Sequence, residues 1–262
     1  MIHLLDRHDP ENTDEVHILK HSPYYNEQQF TKILKNAGFC IVDLNIQNIF
    51  TKFDELELFI YRVNAINPLS VICLNECWIN EKSDLSIIQI PHYRMFHKFN
   101  TRVGHSHCGL IMYIHEQFLC KEITIDQEST LWEYQCVELS HNLYNSKKYL
   151  LCNIYRLPGG SVDELNNFTD EFSTLLTKLK LMRKESFICG DFNINLLQIN
   201  TNRHYGAFFE RVISKGFFPR ITLPTRLSVT GNSNTLIDNI FTNKIDGRLN
   251  SNSGVLISQI IK

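Results

Sequence analysis

No apolar run in the 262-residue chain approaches the roughly 18 residues a bilayer span needs, and Asp6, Arg7 and Asp9 interrupt the start before a secretory apolar core can form. The expectation is a soluble, intracellular protein without a membrane partner. Charge of one sign is lacking too: 26 Lys and Arg face 28 Asp and Glu, a formal net charge of -2. No global basic field advertises a polyanion, so any nucleic-acid contact has to come from a local patch. Internal repeats and low-complexity tracts are missing. The cysteines lack the clustering of a disulfide framework. They sit at 40, 73, 77, 108, 120, 136, 152 and 189, most inside apolar runs such as "SVICLNE", and are expected to be buried and reduced. No His or Cys spacing matches a structural zinc site.

What is present is a 43% hydrophobic composition, ample for a core. Residues 1–36 are polar and read as an irregular extension. From Gly38, short apolar runs alternate with longer amphipathic segments, the mark of α/β architecture. Strand candidates are "GFCIVDLNI", "SVICLNE", "GLIMYI", "YQCVELS", "KKYLLCNIY", "SFICGD", "LIDNIFT" and "SGVLIS". Three helices are predicted. One lies in "TKFDELELFIYRV", a second starts at Ser161 with Glu164 completing a capping box, and a third spans about Arg203 to Lys215 with Gly216 as its stop. Strands outnumber helices, which predicts two packed sheets with helices outside.

The stretch "FICGDFNINLL" ends an apolar strand on Gly190, then exposes Asp191 and Asn193. A turn built from Gly, Asp and Asn accounts for it locally. So does a carboxylate and an amide set at the carboxyl end of a strand, where α/β proteins place their chemistry. Other strand candidates end in the same manner: Asn45 closes "CIVDLN", Glu76 closes "VICLNE", Tyr155 and Arg156 close "LLCNIYR", and Asp238 interrupts "TLIDNIF". Singly, each is an ordinary cap or turn residue; together they suit phosphodiester hydrolysis. Glu76 with Asn45 offers the oxygen donors that Mg2+ takes. Asp191 is placed to deprotonate a water that Asn193 orients, Tyr155 to donate to the phosphate, and Arg156 to neutralise a neighbouring one.

The ordered series "LNIQN", "LNECW", "NIYRLPGG", "ICGDFNINLL" and "PTRLSVTGNSNTLIDNIFTN" resembles the endonuclease domain of LINE-type (non-LTR) retrotransposons. That domain lies within the endonuclease/exonuclease/phosphatase superfamily of apurinic endonucleases and DNase I. The resemblance implies a DNase I-like four-layer α/β sandwich, two mixed sheets flanked by helices. It also implies a Mg2+-dependent nuclease, Mn2+ being the alternative ion, that nicks target-site duplex DNA to prime reverse transcription, in the nucleus where that DNA is chromosomal. By resemblance, Glu76 and Asn45 hold the metal, Asp191, Asn193 and Tyr155 are catalytic, and Asp238 is the residue that orients a histidine. Thr235 or Ser233 is expected to contact a phosphate. The family's closing Ser-Asp-His segment is not matched before "QIIK", so the reading expects a domain over 37–262 lacking that segment. Two alternatives stand beside the nuclease: a catalytically dead domain that only binds metal or nucleic acid, and a phosphoesterase acting on small phosphorylated molecules. For Arg94, Lys98, Arg102, Arg203, Arg220 and Arg226 the expectation is ordinary surface charge more than DNA contact.

Overall fold

The structure, a computed structural model, describes residues 2–6, 22–101, 106–125, 129–141, 147–228, 233–244 and 251–256. In chain order its elements are β1 (Ile2–Asp6), β2 (Tyr24–Tyr25), α1 (Glu27–Leu34), β3 (Ala37–Asn45), α2 (Ile49–Asn64), β4 (Val71–Asn75), β5 (Tyr93–Lys98), β6 (Leu110–His115) and β7 (Phe118–Glu122). There follow β8 (Trp132–His141), β9 (Lys148–Arg156), α3 (Val162–Leu181), β10 (Glu185–Asp191), α4 (Arg203–Ser214), β11 (Phe218–Pro219), β12 (Asp238–Thr242) and β13 (Ser251–Leu256). Seven strands form one mixed sheet in the order β2-β13-β1-β3-β4-β6-β5, and six form the other in the order β11-β12-β10-β9-β8-β7.

Strand alternation sorts the side chains into layers. In β3, Phe39 and Ile41 join an inter-sheet core that also holds Val71, Cys73, Leu151, Phe187, Cys189 and Ile240. The alternate residues Cys40 and Val42 face outward against α1 and α2, with Phe30, Phe53, Leu56 and Ile60. On the second sheet, Cys152, Ile154 and Ile188 face outward against Phe168, Phe172, Leu176 and Phe208 of α3 and α4. The result is helix, sheet, sheet, helix: the four-layer α/β sandwich that the sequence predicts.

The three predicted helices form, α3 with the Ser161–Glu164 capping box and α4 running into Gly216 at φ +82°. The irregular extension expected over residues 1–36 is corrected across its described part. There β1 lies between β13 and β3, its Ile2 opposite Val42 and its Leu4 opposite Cys40. Asn26 and Gln29 form a capping box that starts α1, whose Phe30 and Leu34 are buried. A five-residue strand with only three apolar residues, Ile2, Leu4 and Leu5, carries little strand signal of its own; pairing supplies it. Strands β5 and β7 also escape the sequence reading. Both are sheet edges, and the charges of Arg94, Lys98 and Lys121 that blunt an edge break the apolar run. Arg102, His105 and the "QIIK" end lie outside the described residues.

The expectation of eight reduced thiols is corrected as well. Cys136 and Cys152, directly opposed in register on β8 and β9, are joined in a disulfide, while Cys40, Cys73, Cys77, Cys108, Cys120 and Cys189 are free. Sixteen residues separate the bonded pair in sequence, so only the hairpin register reveals it.

One buried amide ties the sheets together. Asn153 of β9 donates from Nδ2 to the carbonyls of Leu74 (3.0 Å) and Ile111 (3.2 Å) on the opposite sheet. Asn153→Ala strips two buried carbonyls of that donor, so a destabilisation of about 1–3 kcal/mol is expected. Urea unfolding, read against a solvent-facing Asn80→Ala control, checks it.

Candidate active site

The alternation that packs the inter-sheet core also builds the site. Each central strand places apolar residues on its inner face and a polar one at its last inner position: Phe39, Ile41, Asp43, Asn45 on β3; Val71, Cys73, Asn75 on β4; Leu151, Asn153, Tyr155 on β9; Phe187, Cys189, Asp191 on β10. The four strands end together, so their polar residues meet at one mouth between the sheets. Gly190 permits the last step. Its φ is +149°, and a Cβ there would stand 1.9 Å from the Ile154 carbonyl oxygen on the parallel neighbour. Beyond β4, Glu76 turns into the mouth at φ +51°.

Asn45 sits at the centre. Its Nδ2 donates to Glu76 Oε1 (2.8 Å) and to Asp191 Oδ2 (3.0 Å), linking a carboxylate of its own sheet to one of the other. Asn45 Oδ1 is buried without a hydrogen-bond partner. Asp191 is fully buried, yet it receives the backbone N–H of Asn193 at Oδ1 (2.9 Å) and the Arg226 guanidinium at Oδ2 (2.7 Å). Burial above all, and then the carboxylate of Asp238 directly opposite on β12, push its carboxyl well above the usual range; Arg226, Asn193 and Asn45 pull the other way. The Tyr155 hydroxyl is hydrogen-bonded to Glu76. Burial and the charges of Glu76 and Asp191 raise its pKa, which keeps the phenol a proton-bearing donor. Behind these lies Asp43, pushed up to about 7 by burial and accepting from Asn75 Nδ2 at 3.2 Å.

The donor set fits a hard divalent cation. The carboxylate oxygens of Glu76 and Asp191 and the unsatisfied Oδ1 of Asn45 are the donors that Mg2+ takes, one or two carboxylates with its remaining positions left to water or phosphate. Among the described residues no three His, Cys, Asp or Glu side chains gather around one point.

A family model described as the endonuclease/exonuclease/phosphatase family matches residues 36–258. The chain belongs to that family. A search of curated proteins finds no significant match. Solved structures share the fold at low identity. The AP endonuclease LMAP from Leishmania major superposes with a TM-score of 0.61 at 12% identity, covering 77% of this chain and 78% of that one. The 3' phosphatase NExo from Neisseria, bound to a product DNA hairpin, gives 0.52 at 13%, covering 77% and 85%. The endonuclease domain of TRAS1, a telomere-specific non-LTR retrotransposon, gives 0.53 at 10%, covering 77% and 82%. Family membership places hydrolytic nucleases and phosphatases, enzymes that generally use divalent metal ions, as the class to which this mouth belongs.

Of the residues singled out in the sequence, Asn45, Glu76, Tyr155, Asp191 and Asp238 come together here, and three take contacts other than those expected. Asn193 gives its side-chain amide to the Arg156 carbonyl (2.6 Å), so it fixes the loop and, through its backbone N–H, Asp191. The Arg156 side chain is buried, bonded to the carbonyls of Asn193 and Gly159 and lying over the Phe168 ring. It clamps that loop and leaves no open fork for a phosphate, since the guanidinium is desolvated and its donors are directed inward. Asp238, assigned to orienting a histidine, accepts instead from the Thr225 hydroxyl at 2.5 Å. Thr235 exchanges backbone hydrogen bonds with Arg226 and takes the Thr225 N–H, which holds both in place. Asn195 caps the turn after Asp191, accepting from the N–H groups of Leu197 and Leu236.

Arg226, read in the sequence as surface charge, is the cation on Asp191, and Asp43, Asn75 and Asn153 were missed altogether. A sequence signal existed for these three: a polar residue on the inner register of an otherwise apolar strand. None existed for Arg226, which arrives from a loop.

Proposed function

We propose that the chain is a Mg2+-dependent phosphodiesterase that nicks duplex DNA, an endonuclease of the non-LTR retrotransposon type acting on chromosomal target sites. The observation that carries this reading is the bridge from Asn45 to both Glu76 and Asp191, two carboxylates from different sheets joined through an amide whose oxygen is unsatisfied. Family membership, the DNA hairpin bound by NExo, and the TRAS1 domain among the neighbours support the substrate class. The ordered motifs that resemble LINE endonucleases support the finer assignment.

In this reading Glu76 and Asn45 hold the cation, which supplies Lewis-acid stabilisation of charge on the phosphoryl oxygens. Asp191 receives the proton of the attacking water. Burial, and then Asp238, raise its carboxyl well above the usual range, which strengthens it as a base. Tyr155, kept protonated, donates to a non-bridging oxygen. Arg226 holds Asp191 in orientation, while Asn193 and Arg156 fix the loop behind it.

The test is relaxation of a supercoiled plasmid. EDTA is expected to abolish nicking and added Mg2+ to restore it, whereas Glu76→Gln requires at least tenfold more Mg2+ for half-maximal rate, the loss of one carboxylate ligand being worth about 1.4 kcal/mol or more. Hydrolysis of nucleotide monoesters or phosphoinositides without plasmid nicking overturns the DNA assignment. Mg2+ binding without hydrolysis of any of these overturns the enzymatic one.

A further inference from the structure

The ends of the second sheet remote from the mouth carry an excess of cations that the nuclease reading leaves unused. Glu138 of β8 is flanked by Lys148 (2.9 Å) and Lys184, and Glu185 at the start of β10 by Lys147 (2.8 Å) and Lys244 (3.4 Å). The chain enters this place from the end of α3, which adds Lys180 and Arg183, both exposed and, among the described residues, without an ion pair. Four lysines thus pair with two carboxylates, and Lys180 and Arg183 stand next to them along the chain, in a protein whose formal net charge is -2.

A structural role accounts for part of this. One lysine for each glutamate suffices to pair a half-buried carboxylate, and a basic residue in the last turn of α3 favours the helix dipole. The remainder is surplus. Two of the four paired lysines stay open to solvent: the side chains of Lys147 and Lys148 are 50% and 59% exposed, and each ammonium has three donors, only one of which its glutamate needs, while Lys184 and Lys244 are largely covered.

We infer that this basic end is a second nucleic-acid-binding surface, one that takes a sugar–phosphate backbone without reading its sequence. Five of the six cations are lysines, compact point charges on flexible stems, which suit phosphate neutralisation; planar forks for base edges are scarce. The surface is separate from the mouth. Strand β10 runs from Glu185 at one end to Asp191 at the other, about 20 Å at ~3.3 Å per residue.

The experiment measures binding in EDTA, where no cleavage intervenes, so its outcome is independent of whether the chain nicks DNA. A fluorescent 20-base-pair duplex is titrated at 50–300 mM KCl against the parent chain and the double variant Lys180→Glu, Arg183→Glu, whose side chains are exposed and unpaired. Expected are a loss of 10- to 100-fold in affinity at 100 mM salt and a log–log salt slope shallower by about 2, close to 0.9 per phosphate contact. An unchanged affinity with an unchanged slope overturns the inference. So does a variant that loses binding to vesicles containing phosphatidylserine while its affinity for DNA is unchanged, for then the surface serves an anionic membrane.

Discussion

Asp191→Asn is expected to lower the rate of plasmid nicking by about 10²- to 10⁴-fold, the span general-base removal commands, and at the same time to leave the protein at least as stable. The two halves of the result have one origin. Asp191 is fully buried, faces Asp238 across the β10–β12 pair, and has its carboxyl pushed well above the normal range. A carboxyl raised on folding binds its proton more tightly in the folded state, so above the unfolded pKa it subtracts from stability. An amide of the same shape carries no charge and removes the repulsion; with its oxygen turned to Arg226 and Asn45, its Nδ2 meets the Asn193 N–H, a donor-against-donor contact that offsets part of the gain. Thermal unfolding in EDTA should give an unchanged or higher Tm, beside a nicking rate near background. A fall of several degrees in Tm together with lost activity would mean that Asp191 serves the fold, and the assignment of its role would fail.

Gly190→Ala is expected to be destabilising by about 3 kcal/mol or more, at the upper end of overpacking. A methyl at this position meets the Ile154 carbonyl oxygen at 1.9 Å and its carbon at 2.8 Å, both backbone atoms of the neighbouring strand, which cannot swing aside as a side chain can. Relief requires β9 and β10 to separate, and these strands carry Tyr155 and Asp191. Gly159→Ala supplies the contrast. Its φ of +74° is equally glycine-favouring, but nothing lies within 4 Å of the added Cβ, so the cost there is only the backbone term of about 1–2 kcal/mol. Soluble yield and urea midpoint measured on both separate the clash from the conformation. Equal effects would remove the close approach as the reason for glycine at 190.

Much of the fold is legible in the sequence because the central strands are buried on both faces and so appear as short apolar runs, while α3 announces itself by its capping box. The site is legible for the same reason: Asn45, Glu76, Tyr155 and Asp191 each follow an apolar run, at a place where a polar side chain is conspicuous. What escapes has no local cause. Strand β1 is defined by β3 and β13, the Cys136–Cys152 bond by hairpin register, and Arg226 by a loop folding back onto Asp191. Arg156 shows the opposite failure, since adjacency to Tyr155 in sequence suggested a phosphate contact. Consecutive residues on a strand face opposite ways, and Arg156 accordingly points to the helix side, over Phe168.

The amide bridge from Asn153 to Leu74 and Ile111 bears on how this molecule tolerates change over time. The groups to which the proposed mechanism assigns the chemistry belong to two separately hydrogen-bonded plates, Asn45 and Glu76 on one, Tyr155, Asp191 and Asp238 on the other. A slip of one residue between the plates is about 3.4 Å, and misplacements near 1 Å can cost 100-fold in rate. Substitutions deep between the sheets, remote from the mouth, can therefore silence the enzyme while leaving it soluble and folded. In a lineage released from selection for cutting, the inter-sheet layer is where drift would first become visible in activity, well before any of the carboxylates is lost.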